Sequence, residues 1–224
     1  MDAVKHPGSI CLGGWLVAAL GVLAGCATTH EVTVDAINHA TKPMGTSYRL
    51  EVHDPSGGVE PAISAQAVAH AKDALAARGL FEAPANTKPD TIINLEYGVG
   101  QGQIKIVYRS RVDESIGGFG SQKSEPPAKA VLVFEKYIQL SAREPVADDA
   151  TQPQRGRPKN RGDELWNVRV SVEDPKKELA PYLPVLASVS VEYLGRNTGK
   201  ELHIVVDADK AADALRHPHA MPKQ

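Results

Sequence analysis

The chain has 224 residues, a formal net charge of −2 and only 5% aromatic residues. A near-neutral balance gives no electrostatic reason to expect nucleic acid as a partner. So few aromatics argue against a carbohydrate-stacking cleft. There are two cysteines, Cys11 and Cys26, and both lie in the first 26 residues, so no thiol nucleophile, cysteine metal site or disulfide is expected in the body of the domain.

The amino-terminal segment carries the most specific signal. Lys5 precedes an uncharged run from Ile10 to Leu23, and the run ends in Leu23-Ala24-Gly25-Cys26. A positive start, a short apolar stretch and small residues at a cleavage point make a secretory signal. With cysteine as the residue after the cut, the sequence is a lipobox. The expected outcome is diacylglycerol on the Cys26 sulfur, cleavage after Gly25 and acylation of the new amino terminus. A permanent transmembrane helix needs about 20 apolar residues, and this run is shorter and interrupted by Gly13, Gly14 and Gly21. Ala27 follows Cys26, where an aspartate would signal inner-membrane retention, so the expected location is the outer membrane with the domain facing the periplasm. The first partner expected is therefore the membrane itself, through acyl chains that each contribute about 0.8 kcal/mol per buried CH₂. Cleavage leaves about 200 residues, one ordinary domain. Residues 26–44 are expected to be the lipidated terminus and tether, 45–208 the domain, and 209–224 a polar tail.

Val32-Thr33-Val34 is either a first strand or the end of the tether. Thr46 to Val52 alternates as a strand, and Pro55-Ser56-Gly57-Gly58 turns the chain. Ala62 to Arg78 is the clearest helix, with Ala67, Val68, Ala71, Ala74 and Leu75 on one stripe. Gly79 sits where a helix ends on a left-handed residue. Asp90 to Val99 reads as a strand, Gly98 to Gly102 as a turn and Gln103 to Arg109 as the returning arm of a hairpin. Ser110 to Lys129 is a long loop rich in Gly, Ser and Pro. Ala130 to Ala142 is a strand with Leu132, Phe134, Ile138 and Leu140 in phase. Arg143 to Gly162 is a second long loop. Glu164 to Glu173 is a strand with Trp166, Val168, Val170 and Val172 inward. A helix starting near Pro181 or Pro184 ends at Gly195, with the β-branched Val189 and Val191 leaving a strand open as an alternative. Lys200 to Asp207 is the last strand, after which the tail opens on a helical turn. These elements predict an α+β fold in two layers, a mostly antiparallel sheet with two helices on one face.

The same residues carry a resemblance. The strand around Tyr48-Arg49-Leu50, the helix ending Ala74-Leu75-Ala76-Ala77-Arg78-Gly79-Leu80-Phe81, the Pro89-Asp90 strand with Asn94, Glu96 and Tyr97, and Glu164-Leu165-Trp166 before a closing helix are spread over most of the mature chain. Together with the lipobox they resemble the bacterial lipoproteins of domain-of-unknown-function family 4136. The long loops and the basic stretch near Arg155 depart from that pattern. The resemblance implies a small periplasm-facing lipoprotein and supplies no catalytic residues.

Candidate chemistry is sparse. Gly98-Val99-Gly100-Gln101-Gly102 is followed by a strand, whereas a phosphate cradle needs a helix amino terminus there. Gly117-Gly118-Phe119-Gly120 fails the same test. His217 and His219 flank Pro218 with no third ligand at a defined spacing, and His39, His53, His70 and His203 are scattered. Ser64 lies in the first turn of a helix, outside any nucleophile elbow. Asp90 and Glu96 share a strand face, where solvated residues are the ordinary case. Arg155, Arg157, Lys159 and Arg161 form a local basic run able to touch anionic headgroups or an acidic partner, each charge contributing about 1 kcal/mol near a membrane. No catalytic residue, metal or cofactor is expected. The expectation is a non-enzymatic envelope lipoprotein that binds a protein or envelope component. The alternatives are an envelope hydrolase with dispersed residues, for example around Glu96 or His203, and a structural or stress-related envelope protein.

Overall fold

A computed structural model describes residues 28–41, 43–53, 60–108, 128–145 and 162–216. In chain order the strands and helices are β1 (Thr29–Asn38), β2 (Ser47–His53), α1 (Pro61–Ala77), β3 (Phe81–Glu82), β4 (Thr91–Val99), β5 (Gln103–Tyr108), β6 (Ala128–Arg143), β7 (Glu164–Asp174), α2 (Leu183–Tyr193), β8 (Leu202–Asp207) and α3 (Ala208–Arg216). The sheet order is β3-β2-β4-β6-β7-β1-β8, and β5 pairs with the amino-terminal part of β6. The class is α+β, as the sequence pattern implies.

The expectation of a mostly antiparallel sheet needs correction: the sheet is mixed. β2 pairs in parallel with β4 and with β3, while β1, β4, β6, β7 and β8 pair antiparallel. The cause lies in the connection. β2 runs into α1, and α1 returns the chain to β4; a strand–helix–strand crossover brings the second strand back parallel to the first. The hairpin expected at Gly98–Gly102 also gives way. β4 and β5 both run antiparallel to β6, so β5 continues in the direction of β4. Gly98 is a strand residue opposite Tyr137, and the amide of Gly100 donates to the Glu135 carbonyl.

Two more elements extend past their expected limits. The segment expected as tether contains β1, ten residues long, hydrogen-bonded on both sides and carrying the fully buried Val32 and Val34. The polar tail contains α3, which sends Ala211 and Leu215 into the core. Its polar residues point outward, which disguised an amphipathic helix as a tail. The sheet is therefore covered by three helices where two were expected.

The local chemistry of the helix ends is clear. Pro61 opens α1 at a position where its missing N–H costs nothing. Arg78 closes it, Gly79 takes φ +89°, and the amides of Gly79 and Leu80 donate to the carbonyls of Ala76 and Leu75. That pair of bonds is a Schellman motif, as the Gly79 position suggested. Small Ala67, Ala71 and Ala74 on α1 let it lie close to α2. α2 is buried nearly all round, between the sheet and the other two helices. Under it lie Val32, Ile93, Leu95, Ile138, Leu140, Trp166, Val168 and Val170, every one from the same face of its strand. Among the described residues no helix packs on the opposite face.

Candidate functional site

The uncovered face of the sheet holds the most organised polar array. Alternation puts Glu135, Tyr137, Gln139 and Ser141 of β6 on that face, opposite Glu173, Ser171, Arg169 and Asn167 of β7. Glu96 of β4 lies opposite Gln139. The Arg169 guanidinium stacks on the Tyr137 ring, 3.8 Å from its centroid. Its two terminal nitrogens donate to Gln139 Oε1 at 3.2 Å and Glu135 Oε1 at 3.1 Å. Tyr137 Oη donates to Glu96 Oε1 at 3.1 Å. Burial raises the Tyr137 hydroxyl above its ordinary range, and the bond to Glu96 adds to that shift. The phenol therefore stays a donor. A planar cation stacked on a ring and forked between acceptors is held in one orientation, so this is a pre-organised polar surface.

Beside it is an open cleft of about 360 Å³ between Thr33, Lys105, Ser171, Glu173, Glu201 and His203. His203 Nε2 lies 3.3 Å from Glu201 Oε1, and its Nδ1 lies 3.3 Å from Thr33 Oγ1. Lys105 pairs with Glu173. The lining is acidic overall and exposed. Among the described residues no group of three or more His, Cys, Asp or Glu is placed to hold a metal ion.

The covered face holds a buried cation. Lys136 is fully buried. Its Nζ donates to the carbonyls of Phe134 at 3.0 Å and Asp174 at 2.7 Å, and lies 5.2 Å from the Tyr182 ring centroid. Burial pushes its pKa down, and Asp174 and Glu178 oppose that shift. Tyr182 is pushed up to about 12, chiefly by burial and then by its bond to Asp174. The two carbonyls belong to β6 and β7, so the group works as a staple between β6 and the end of β7.

At the opposite end of the sheet Asp90 Oδ2 accepts from the amides of Thr46 and Ser47 at 3.0 and 2.9 Å, while the Asp90 amide donates to Ser47 Oγ at 3.0 Å. The bonds from Ser47 hold the Asp90 carboxyl below its usual value. A Cβ on Gly45 would collide with Asp90, so glycine is what lets this clip close. Asp90 is thus committed to a turn. Glu96 lies six residues along the strand, about 20 Å away, so the two are not a working pair. Nearby, a cleft of about 490 Å³ is bordered by Met44, Asp90, Glu144 and Trp166.

The other sequence candidates are scattered. Ser64 sits in the first turn of α1, where its amide bonds the Glu60 carbonyl. His39, His53 and His70 lie on three different elements or their ends. Leu23, Ala24, Gly25, Cys26, Arg155, Arg157, Lys159, Arg161, His217, His219 and the Gly117–Gly120 run lie outside the described residues. Sequence reasoning missed the Tyr137–Arg169 stack. Its signal was the outward phase of β6, which carries Glu135, Tyr137 and Gln139 in succession. It also missed Lys136, which falls in the gap of the inward series Leu132, Phe134, Ile138, Leu140.

No family model and no curated protein matches the chain. Among solved structures it is similar to a PDZ domain protein from Parabacteroides distasonis, with 12% identity and a TM-score of 0.43 over 81% of this chain. The chain spans 40% of the length of that protein. It is also similar to the PelC dodecamer from Paraburkholderia phytofirmans, with 12% identity and a TM-score of 0.40, over 75% of this chain and 99% of that one.

Proposed function

We propose that this chain is a lipid-anchored envelope lipoprotein of the kind gathered in domain-of-unknown-function family 4136, a non-enzymatic domain that binds a protein or envelope component. The lipobox ending at Cys26 carries the proposal. Its acyl chains hold the domain on the periplasmic face of the outer membrane. The uncovered sheet face then supplies the binding surface, through the stacked Arg169–Tyr137 pair and the acidic cleft beside His203. Surfaces that bind polar partners gain specificity from such pre-positioned charges more than from area. The basic run Arg155, Arg157, Lys159 and Arg161 is a second point of contact, with anionic headgroups or an acidic partner face.

The anchor is tested by mass spectrometry of the amino-terminal peptide from the intact protein purified in detergent. The expected peptide begins at Cys26 and carries a diacylglyceryl group and an amide-linked acyl chain; the Cys26→Ser variant is expected to keep its signal segment and to carry no lipid mass. A peptide beginning upstream of Cys26 with no lipid mass contradicts the proposal. Charge reversal of the four basic residues, with no change in membrane association or partner recovery, removes that run from it.

A further inference from the structure

We propose that the β5–β6 ribbon dips into the lipid headgroup region beside the anchor, as a second, non-covalent membrane contact. The inference rests on the lipid anchor proposed above.

Three features of the fold lead to it. First, the ribbon leaves the sheet. β7 stops pairing with β6 at Asp174, opposite Phe134, while β6 extends back to Ala128 with only β5 beside it. Six residues of strand reach about 20 Å. Second, the ribbon exposes one apolar face, and its other face sets an exposed valine beside Lys105 and Lys129. Ile104 lies opposite Leu132 on one face, 74% and 51% exposed, with Ile106 next at 61%. Val107, on the other face, is 50% exposed. Apolar side chains on one face and lysines on the other suit the membrane interface, where the lysine stems lie along the apolar layer and their ammonium groups reach the headgroups. Third, the anchor is at the same end. β1 and β6 run in the same direction, with Val32 and Lys136 both opposite Val172. Thr29 is therefore level with Val133, at the base of the ribbon and two strands away. Cys26 precedes the first described residue, Thr28, by two residues, and two residues of chain span at most about 7 Å. A lipid on Cys26 thus draws this end of the sheet to the membrane.

The chemistry sets the depth. The outer edges of a two-stranded ribbon leave backbone groups unpaired, which the hydrocarbon interior does not tolerate. The interfacial layer, about 5–10 Å deep, supplies water and headgroup partners. Lys105 and Lys129 on the ribbon, and Lys176 and Lys177 at the same end, suit that layer, with Glu173 and Glu178 among them. The opposite end, with the Asp90 clip, then points away from the membrane.

The test uses the mature lipoprotein with Ile104→Cys, and separately Leu132→Cys, labelled with an NBD fluorophore. With Cys11 removed and the Cys26 sulfur alkylated, the introduced thiol is the reactive one. The protein is reconstituted in phosphatidylethanolamine–phosphatidylglycerol vesicles with a doxyl-labelled phospholipid as quencher, and Lys88→Cys at the far end is the control. The expected result is that probes at 104 and 132 lose most of their emission to the quencher while the probe at 88 keeps its own. Equal behaviour at both ends, with acylated Cys26 confirmed by mass, overturns the ribbon contact and leaves the anchor standing. Emission at 104 that follows protein density and ignores the quencher also overturns it, in favour of a second copy. A chain without acyl mass on Cys26 overturns both proposals together.

Discussion

The two faces of the sheet handle a cation in opposite ways. On the covered face Lys136 is stripped of water and held by two backbone carbonyls and an aromatic ring. On the open face Arg169 lies on Tyr137 and forks between Glu135 and Gln139, where the outward side stays accessible. The first arrangement bonds the cation to two backbone carbonyls and ties two strands together. The second leaves charge and hydrogen-bonding capacity facing solvent. One face is therefore committed to cohesion, and the other keeps polar groups available to solvent.

The largest expected effect that sharpens this contrast is on cohesion. Leu186→Ala, at the fully buried centre of α2, is expected to cost about 2–5 kcal/mol. Glu51→Ala, exposed on the open face of β2, is expected to stay within about 0.5 kcal/mol. Urea denaturation of both variants checks it, and equal losses would erase the distinction between faces.

Lys136 gives a pH test with a definite sign. Its folded pKa is lowered by burial, so the folded state gives up this proton before the unfolded state does. The desolvation cost is complete well below the folded pKa. It is relieved as pH rises through that value toward the unfolded one, about 10.4. Wild type is therefore expected to gain stability relative to Lys136→Met on going from neutral to alkaline pH. Parallel denaturation series at several pH values measure the difference, and a constant gap would contradict a depressed pKa.

A smaller effect is expected where the open face has its own internal bond. Tyr137→Phe removes the donor to Glu96 and should cost about 0.5–1.5 kcal/mol while leaving the Arg169 stack in place. An unchanged midpoint would mean that water replaces the bond without loss. Smallest of all is Lys72→Ala. The pair with Glu82 at 2.7 Å is nearly half exposed on both sides, so its loss is expected to cost about 0–1 kcal/mol, and less in high salt. A loss comparable to that of Leu186→Ala would sink the reasoning from burial.

The fold was legible where the pattern was local. The Ala62–Arg78 stripe and Gly79 identified α1 and its termination, and the inward phase of Trp166, Val168, Val170 and Val172 identified β7. What failed was long-range. Nothing near Gly98–Gly102 reveals that β6, thirty residues on, keeps pairing past the glycines, so a run-on strand resembled a hairpin. The parallel β2–β4 pair was implied by the strand–helix–strand order, but neighbouring hairpins suggested antiparallel pairing throughout. β1 was underrated because its ends, Thr29-His30-Glu31 and Asn38, are polar although its middle is core. The candidate surface was half visible. Outward Arg169 and Ser171 were readable from alternation, but their meeting with Tyr137 and Glu135 depends on the β6–β7 register, which no local signal encodes.

The central claim is that an anchored domain meets its partner through the open face. The most direct measurement is photocrosslinking in intact cells from a probe placed at Gln139, compared with one at Gln66 on the exposed side of α1, followed by mass spectrometry. The account predicts one dominant envelope protein captured from position 139 and not from 66. The same diffuse neighbours captured from both positions would contradict it.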